Sequence, residues 1–146
     1  PIHAEGGEVL KFMGDGVLAV FPAEGAGGMA AACGKALAAA RAACRDMAAV
    51  NAGRSAKDAP VARHIIALHA GSVSFGNVGA TNRLDFTVIG PAVNLASRLS
   101  AVGKELGRDL ILSAAFTAQV DTPVASLGRF PLRGLAGDHE AFTPTD

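Results

Sequence analysis

Two stretches of this sequence hold side chains whose types and spacing can do chemistry. In Gly7-Glu8-Val9-Leu10-Lys11-Phe12-Met13-Gly14-Asp15-Gly16, a carboxylate sits between glycines at the tip of a short β-prone run. Glycine lets a phosphate or a metal ion come close to the backbone, and a tip carboxylate is exposed to meet it. Asp15 can equally do no more than satisfy its turn. Lys11 shares strand parity with Val9 and Met13, which places its ammonium on a partly buried face or lets it reach back to water.

The second stretch runs from Arg83 to Arg98. Asn94 and Arg98 are four apart in a helical pattern and so share a face, one turn beyond the strand end that carries Thr87. A threonine, an amide and a guanidinium then converge on one cleft wall. Arginine presents a rigid fork of donors suited to phosphate, while asparagine and threonine offer neutral hydrogen bonds suited to a sugar or a base. The competing reading makes Asn94 a buried polar group bonded to backbone and Arg98 a solvated helix charge.

The elements that must position these groups follow from local pattern. Residues 8–12 and 17–21 are strands flanking a hairpin whose Asp15-Gly16 pair supplies positive φ angles. The alanine-, leucine- and methionine-rich segment 26–52 is a helix, closed by Gly53, Ser55, Asp58 and Pro60. Residues 61–70 and 72–78 are β-rich runs joined at Gly71, with Gly76-Asn77-Val78-Gly79 ending in a turn. The run 86–89 stops at Gly90-Pro91, and proline in a first turn starts a helix that lasts to Leu106, with Gly107 ending it. A short strand at 110–112, a small helix from the cap Ser113 to Val120, and strands at 124–132 and 140–143 finish the chain. The class is α+β with a mainly antiparallel sheet.

Composition narrows the partners. Thirteen basic and thirteen acidic side chains cancel over 146 residues, so no global field draws the chain to nucleic acid or to anionic membrane. One hydrophobic core is expected at this length. No uncharged apolar run is long enough to span a bilayer. Cys33 and Cys44 lie about three helical turns apart without zinc-ligand spacing, and read as reduced thiols of a cytoplasmic protein. The abrupt start at Pro1 suggests a longer parent protein with upstream sensor or membrane domains.

The hairpin Leu10-Lys11-Phe12-Met13-Gly14-Asp15-Gly16, the run Leu68-His69-Ala70-Gly71 followed by Phe75-Gly76-Asn77-Val78-Gly79, and the stretch Asp85 to Arg98 together resemble class III adenylate and guanylate cyclases, in that family's order. Three segments at suitable intervals are far more specific than one motif. The resemblance implies the family's ferredoxin-like α+β fold and conversion of ATP to 3′,5′-cyclic AMP and pyrophosphate at the interface of a homodimer. It also implies two magnesium or manganese ions per complete site.

Position by position, Asp15 matches one of two metal-binding carboxylates. Lys11 and Thr87 match the pair that reads the purine, in the combination that marks adenylate cyclases. Asn94 matches the residue that orients the ribose, and Arg98 the one that stabilises charge on the phosphates. Arg133, in Leu132-Arg133-Gly134, stands where the family often has a lysine that contacts the triphosphate.

Departures are equally specific. The family's first strand, with the first metal carboxylate and a phosphate loop, has no counterpart before Pro1, so residues 1–146 read as a partial catalytic domain that is inactive alone. Ile65 occupies the place of an arginine found in some mammalian cyclases, and Arg63 receives no phosphate role. His69 reads as a packed strand residue. A diguanylate cyclase is disfavoured because the hairpin lacks Gly-Gly-Asp-Glu-Phe. A guanylate cyclase, or a noncatalytic cyclase-like dimerisation or regulatory domain, is the remaining alternative.

Overall fold

The computed structural model describes residues 1–25, 27–78 and 85–145, with side chains for all of these except 78 and 85–87. Gly79, Arg83 and Leu84, and the side chain of Thr87, therefore lie outside the described set.

The chain forms strands β1 (Glu8–Met13) and β2 (Gly16–Val20), helix α1 (Met29–Ser55), strands β3 (Ile66–Leu68), β4 (Ser74–Val78) and β5 (Asp85–Ile89), and helix α2 (Pro91–Leu106). Strand β6 (Leu110–Ser113), helix α3 (Ala114–Thr117) and strands β7 (Val124–Pro131) and β8 (Asp138–Pro144) follow. Among the described residues the strands make three sheets: the hairpin β1-β2, the hairpin β4-β5, and a four-stranded sheet in the order β3-β6-β8-β7. Only β3 and β6 pair in parallel, so the expected mainly antiparallel α+β class holds.

Strand β6 organises the core because its side chains alternate between two faces. Leu110 and Leu112 join Cys33, Ala36, Leu37 and Ala40 of α1 and Phe116 of α3 in one cluster. Ile111 points the other way, into Leu99 and Val102 of α2 with Leu132 and Ala141. Strand β3 repeats the alternation, Ile66 and Leu68 toward the α1 side and Ala67 toward the α2 side. The four-stranded sheet is thus covered by α1 on one face and α2 on the other. No helix among the described residues is long and apolar enough to cross a membrane.

Helix ends show which local signals prevailed. Helix α2 starts at Pro91 after Gly90, whose φ of 142° favours glycine, and stops at Gly107 with φ 63°. The Ser113 side chain accepts from the Phe116 amide, as expected of a cap. Helix α1 departs from expectation: it runs through Gly53 to Ser55. The amide of Asn51 clasps Ala62 instead, donating to its carbonyl and accepting from its N–H at 2.8 Å each. This two-bond clasp ties the end of α1 to the chain approaching β3. The runs 61–70 and 72–78 also differ from expectation, since only Ile66–Leu68 and Ser74–Val78 are strands and they belong to different sheets.

Close approach of α2 to the sheet depends on Gly103. A Cβ there would lie 2.8 Å from Ile65 Cγ2 and 3.3 Å from both the Arg108 carbonyl and Ile111 Cγ2. Gly103→Ala is therefore expected to destabilise the fold by ~1–3 kcal/mol through overpacking. Gly34, inside α1, has nothing within 4 Å of the corresponding position. Gly34→Ala should stabilise by ~0.5–1 kcal/mol. Urea denaturation midpoints that fail to move in opposite directions would contradict this packing.

Candidate active site

The hairpin carrying Lys11 and Asp15 closes with Met13 opposite Gly16, leaving Gly14 and Asp15 as its two turn residues. Gly14 takes the positive φ, 63°, and Asp15 does not. This corrects the expectation that Asp15-Gly16 supplies the left-handed angles; glycine at the first central position is the type II′ solution. A Cβ at Gly14 would meet nothing within 4 Å, so the approach to the Asp15 carboxylate is open.

A bulge separates Val9, opposite Ala19, from Lys11, opposite Leu18. The extra residue, Leu10, breaks the parity that would have grouped Lys11 with Val9 on a partly buried face. Lys11 is exposed, as are Phe12, Met13, Gly14 and Asp15.

Strand β5 places the Thr87 backbone opposite Gly76. It touches both β1 and α2, so the strand of Lys11 and the helix of Asn94 and Arg98 flank it. Gly90 then redirects the chain, and Pro91 starts the helix in its first turn. A Cβ at Gly71 would lie 2.9 Å from Ala92 Cβ and 2.9 Å from His69 Nε2, so the first turn of α2 rests against this glycine.

Along α2, Leu95 and Leu99 pack into the core while Asn94 and Arg98 are exposed. The reading of Asn94 as a buried amide is thereby ruled out. Arg133 is exposed at the turn between β7 and β8, where the Leu135 amide donates to the Leu132 carbonyl at 2.9 Å and Gly134 has φ 80°. Buried Leu132 anchors that turn.

No hydrogen bond described for these residues uses the side chain of Lys11, Asp15, Asn94, Arg98 or Arg133. The two cavities described, of about 260 and 240 Å³, are lined by none of them. These five groups are displayed on the surface of the chain. Among the described residues no cluster of three or more His, Cys, Asp or Glu side chains is placed to hold a metal. A divalent magnesium or manganese ion takes about six oxygen ligands, so Asp15 can be one ligand of such an ion and not its whole site.

One polar cluster escaped the sequence reading. His69 Nδ1 is 2.8 Å from Ser113 Oγ, across 44 positions of sequence. Ser113 was legible as a cap; His69, expected as a packed strand residue, lies one position past the end of β3, and nothing local signals that the two meet. The thiols of Cys33 and Cys44 are free, and burial pushes both above the ordinary thiol value, with Asp109 adding to the shift at Cys44. Neither is poised as a nucleophile.

No protein-family model matches the chain. It is 35% identical over 120 residues to Adenylate cyclase 1 of Rhizobium meliloti (strain 1021), which covers 81% of this chain and 17% of that protein. The chain thus spans less than a fifth of that curated relative's length. Among solved structures it resembles the adenylyl cyclase CyaB from P. aeruginosa with a TM-score of 0.84 and 24% identity, covering 99% of this chain and 74% of that one. The guanylyl cyclase Cya2 gives a TM-score of 0.75 and 22% identity over 97% of this chain and 71% of that one. In the order of its motifs, in sequence identity and in fold, the chain belongs to the class III nucleotidyl cyclase catalytic domains.

Proposed function

We propose that the chain supplies part of an adenylate cyclase site, one that converts ATP to 3′,5′-cyclic AMP and pyrophosphate between two subunits. The observation that carries this reading is the division of α2: Leu95 and Leu99 are committed to the core, while Asn94 and Arg98 stand exposed, one turn apart. With Asp15 on an open hairpin tip, the chain presents its ribose, phosphate and metal groups outward, where a second copy can complete the site.

In this reading Lys11 donates to a ring nitrogen of adenine and Thr87 accepts from its amino group. Asn94 holds the ribose so that its 3′ oxygen lies in line with the α-phosphate, an entropic advantage of positioning. Arg98, joined by Arg133, offsets the charge that builds on the phosphates as the new P–O bond forms and pyrophosphate departs. Magnesium or manganese, two ions per complete site with Asp15 as one donor, supplies Lewis-acid polarisation of the phosphates when bound.

Three outcomes follow. Because Asp15 is a single carboxylate, the 146-residue chain incubated with manganese and ATP should form little or no cyclic AMP. Turnover equal to that of an intact cyclase domain would remove the need for a second carboxylate.

In a complete cyclase domain carrying this chain, ATP should be preferred over GTP, since guanine presents the opposite donor and acceptor pattern to Lys11 and Thr87. Lys11→Glu with Thr87→Cys should erode the ratio of the two kcat/KM values about tenfold or more. An unchanged ratio would show that these residues do not read the base.

If Asp15 serves one site of a dimer while Arg98 of the same chain serves the other, Asp15→Ala and Arg98→Ala homodimers are each nearly inactive. Equal mixtures that re-pair at random should recover about a quarter of wild-type activity, since half the dimers are mixed and each has one intact site of two. A mixture with verified exchange that stays as inactive as its parents would contradict the shared site.

A further inference from the structure

Beneath α2 lies the cavity of about 240 Å³, lined among others by His69, Leu95, Leu99, Ser113, His139 and Glu140. Leu95 and Leu99 are the core-facing neighbours of Asn94 and Arg98, so this cavity backs onto the helix that bears the proposed ribose and phosphate groups. Its polar wall comes from three elements: His69 just beyond β3, Ser113 at the end of β6, and His139 and Glu140 on β8.

The hydrogen bonding of this wall is incomplete. Ser113, 5% exposed, accepts from the Phe116 amide at 3.1 Å and pairs with His69 Nδ1 at 2.8 Å. His139 Nε2 is buried and has no hydrogen-bond partner among the described residues. A buried nitrogen without a partner is costly in a folded chain and calls for a reason in the surrounding structure.

The remaining surroundings give a cation little relief. Helix α2 contributes Leu95 and Leu99 to the cavity, and α3 contributes alanines 114 and 115. The one carboxylate of the lining, Glu140, accepts from the Ser126 hydroxyl at Oε1 at 2.7 Å, and at His69 burial and His139 prevail over it. The other two histidines are occupied elsewhere, His3 against the Gly7 carbonyl and His64 against the Cys44 sulfur.

We propose that His69, Ser113 and His139 form a proton-sensitive latch on α2, in which proton uptake by His69 sets a cation against His139 inside an apolar-walled cavity and loosens the seating of Leu95 and Leu99. The His69–Ser113 hydrogen bond survives protonation. The hydroxyl can donate to the neutral imidazole or accept from the charged one, because the Phe116 amide occupies only one of its lone pairs. The penalty falls on the charge itself.

Burial, and after it the neighbouring His139, holds the His69 pKa below its ordinary 6.5. Below that value the unfolded chain binds a proton that the folded chain resists. Stability is therefore complete above 6.5 and declines as pH falls through it toward the lower folded value. Leu99 is 1% exposed and shares its cluster with Ile111 and Ala141, so strain in the cavity is passed directly to α2.

The consequence for catalysis rests on the reading of α2 proposed above; the latch itself can be tested without turnover. NMR spectra of the 146-residue chain, recorded from about pH 8 to about pH 5, report both the imidazole and the leucine methyl groups. His69 should titrate with a midpoint below 6.5, and the Leu95 and Leu99 methyls should shift with that midpoint while Leu37, in the α1 cluster, does not. His69→Gln should abolish the methyl transition, and His139→Gln should move it upward in pH by removing the repulsion. Leucine methyls that ignore the His69 titration, a His69 midpoint at or above 6.5, or a transition that persists in His69→Gln would overturn the latch. If His69→Gln does not fold, the coincidence or separation of the wild-type midpoints decides. Cyclic AMP formation enters none of these outcomes, so the latch and the cyclase reading fail independently.

Discussion

The burial of β6 is the constraint on which the rest of the molecule depends. Its four residues are all buried, with Ile111 and Leu112 wholly removed from solvent. A strand rooted in both cores leaves little freedom for what packs on either side. Helix α1 must bring small and medium residues to Leu110 and Leu112, which its alanine-rich face does. Helix α2 must approach closely enough to cover Ile111, which Gly103 permits. The position of α2 follows from this contact, and with it the direction in which Asn94 and Arg98 point.

That dependence explains how exposed side chains of α2 can be held in place from behind. Asn94 and Arg98 are held through their neighbours Leu95 and Leu99, by Pro91 and Gly90 at the start of the helix, and by the contact of Ala92 with Gly71. Arg133 is held in the same way, through buried Leu132 next to it. Asp15 belongs to a different regime, at the tip of a two-residue turn on a hairpin that forms its own small sheet. Phe12 and Met13 beside it are 73% and 51% exposed. The helix-borne groups are thus positioned from behind, while the hairpin-borne carboxylate is left open to approach.

The fold is common to proteins described as adenylyl and guanylyl cyclases, so the architecture leaves the base unassigned, and the proposed reading gives discrimination to a few side chains. In the proposed reading these are Lys11 and Thr87, which stand on β1 and β5, two strands in contact. Short-range hydrogen bonding suits that task. A mismatched donor or acceptor in a desolvated pocket is penalised strongly, whereas a change of fold would disturb the phosphate and ribose contacts as well.

Local chemistry in the sequence was sufficient for much of this. Gly90-Pro91 and Gly107 bound α2, Ser113 marks its own capping role, and the four-residue spacing of Asn94 and Arg98 is a property of any helix. The resemblance in three ordered motifs named the family before any fold was visible. Tertiary structure alone decided what depends on partners distant in sequence. It selected Gly14 and not Gly16 for the left-handed turn angle and inserted the bulge at Leu10 that brings Lys11 to the surface, because pairing register outweighs strand parity. It sent β3 and β4 to different sheets although they are near neighbours in the chain, because β3 finds its partner in β6 and β4 finds its own in β5. It also joined His69, Ser113 and His139 around one cavity from three separate elements. Turn and cap preferences are energies of a few bonded neighbours and can be read along the chain; register, sheet membership and the meeting of buried polar groups are set by packing the whole, and no run of adjacent residues contains them.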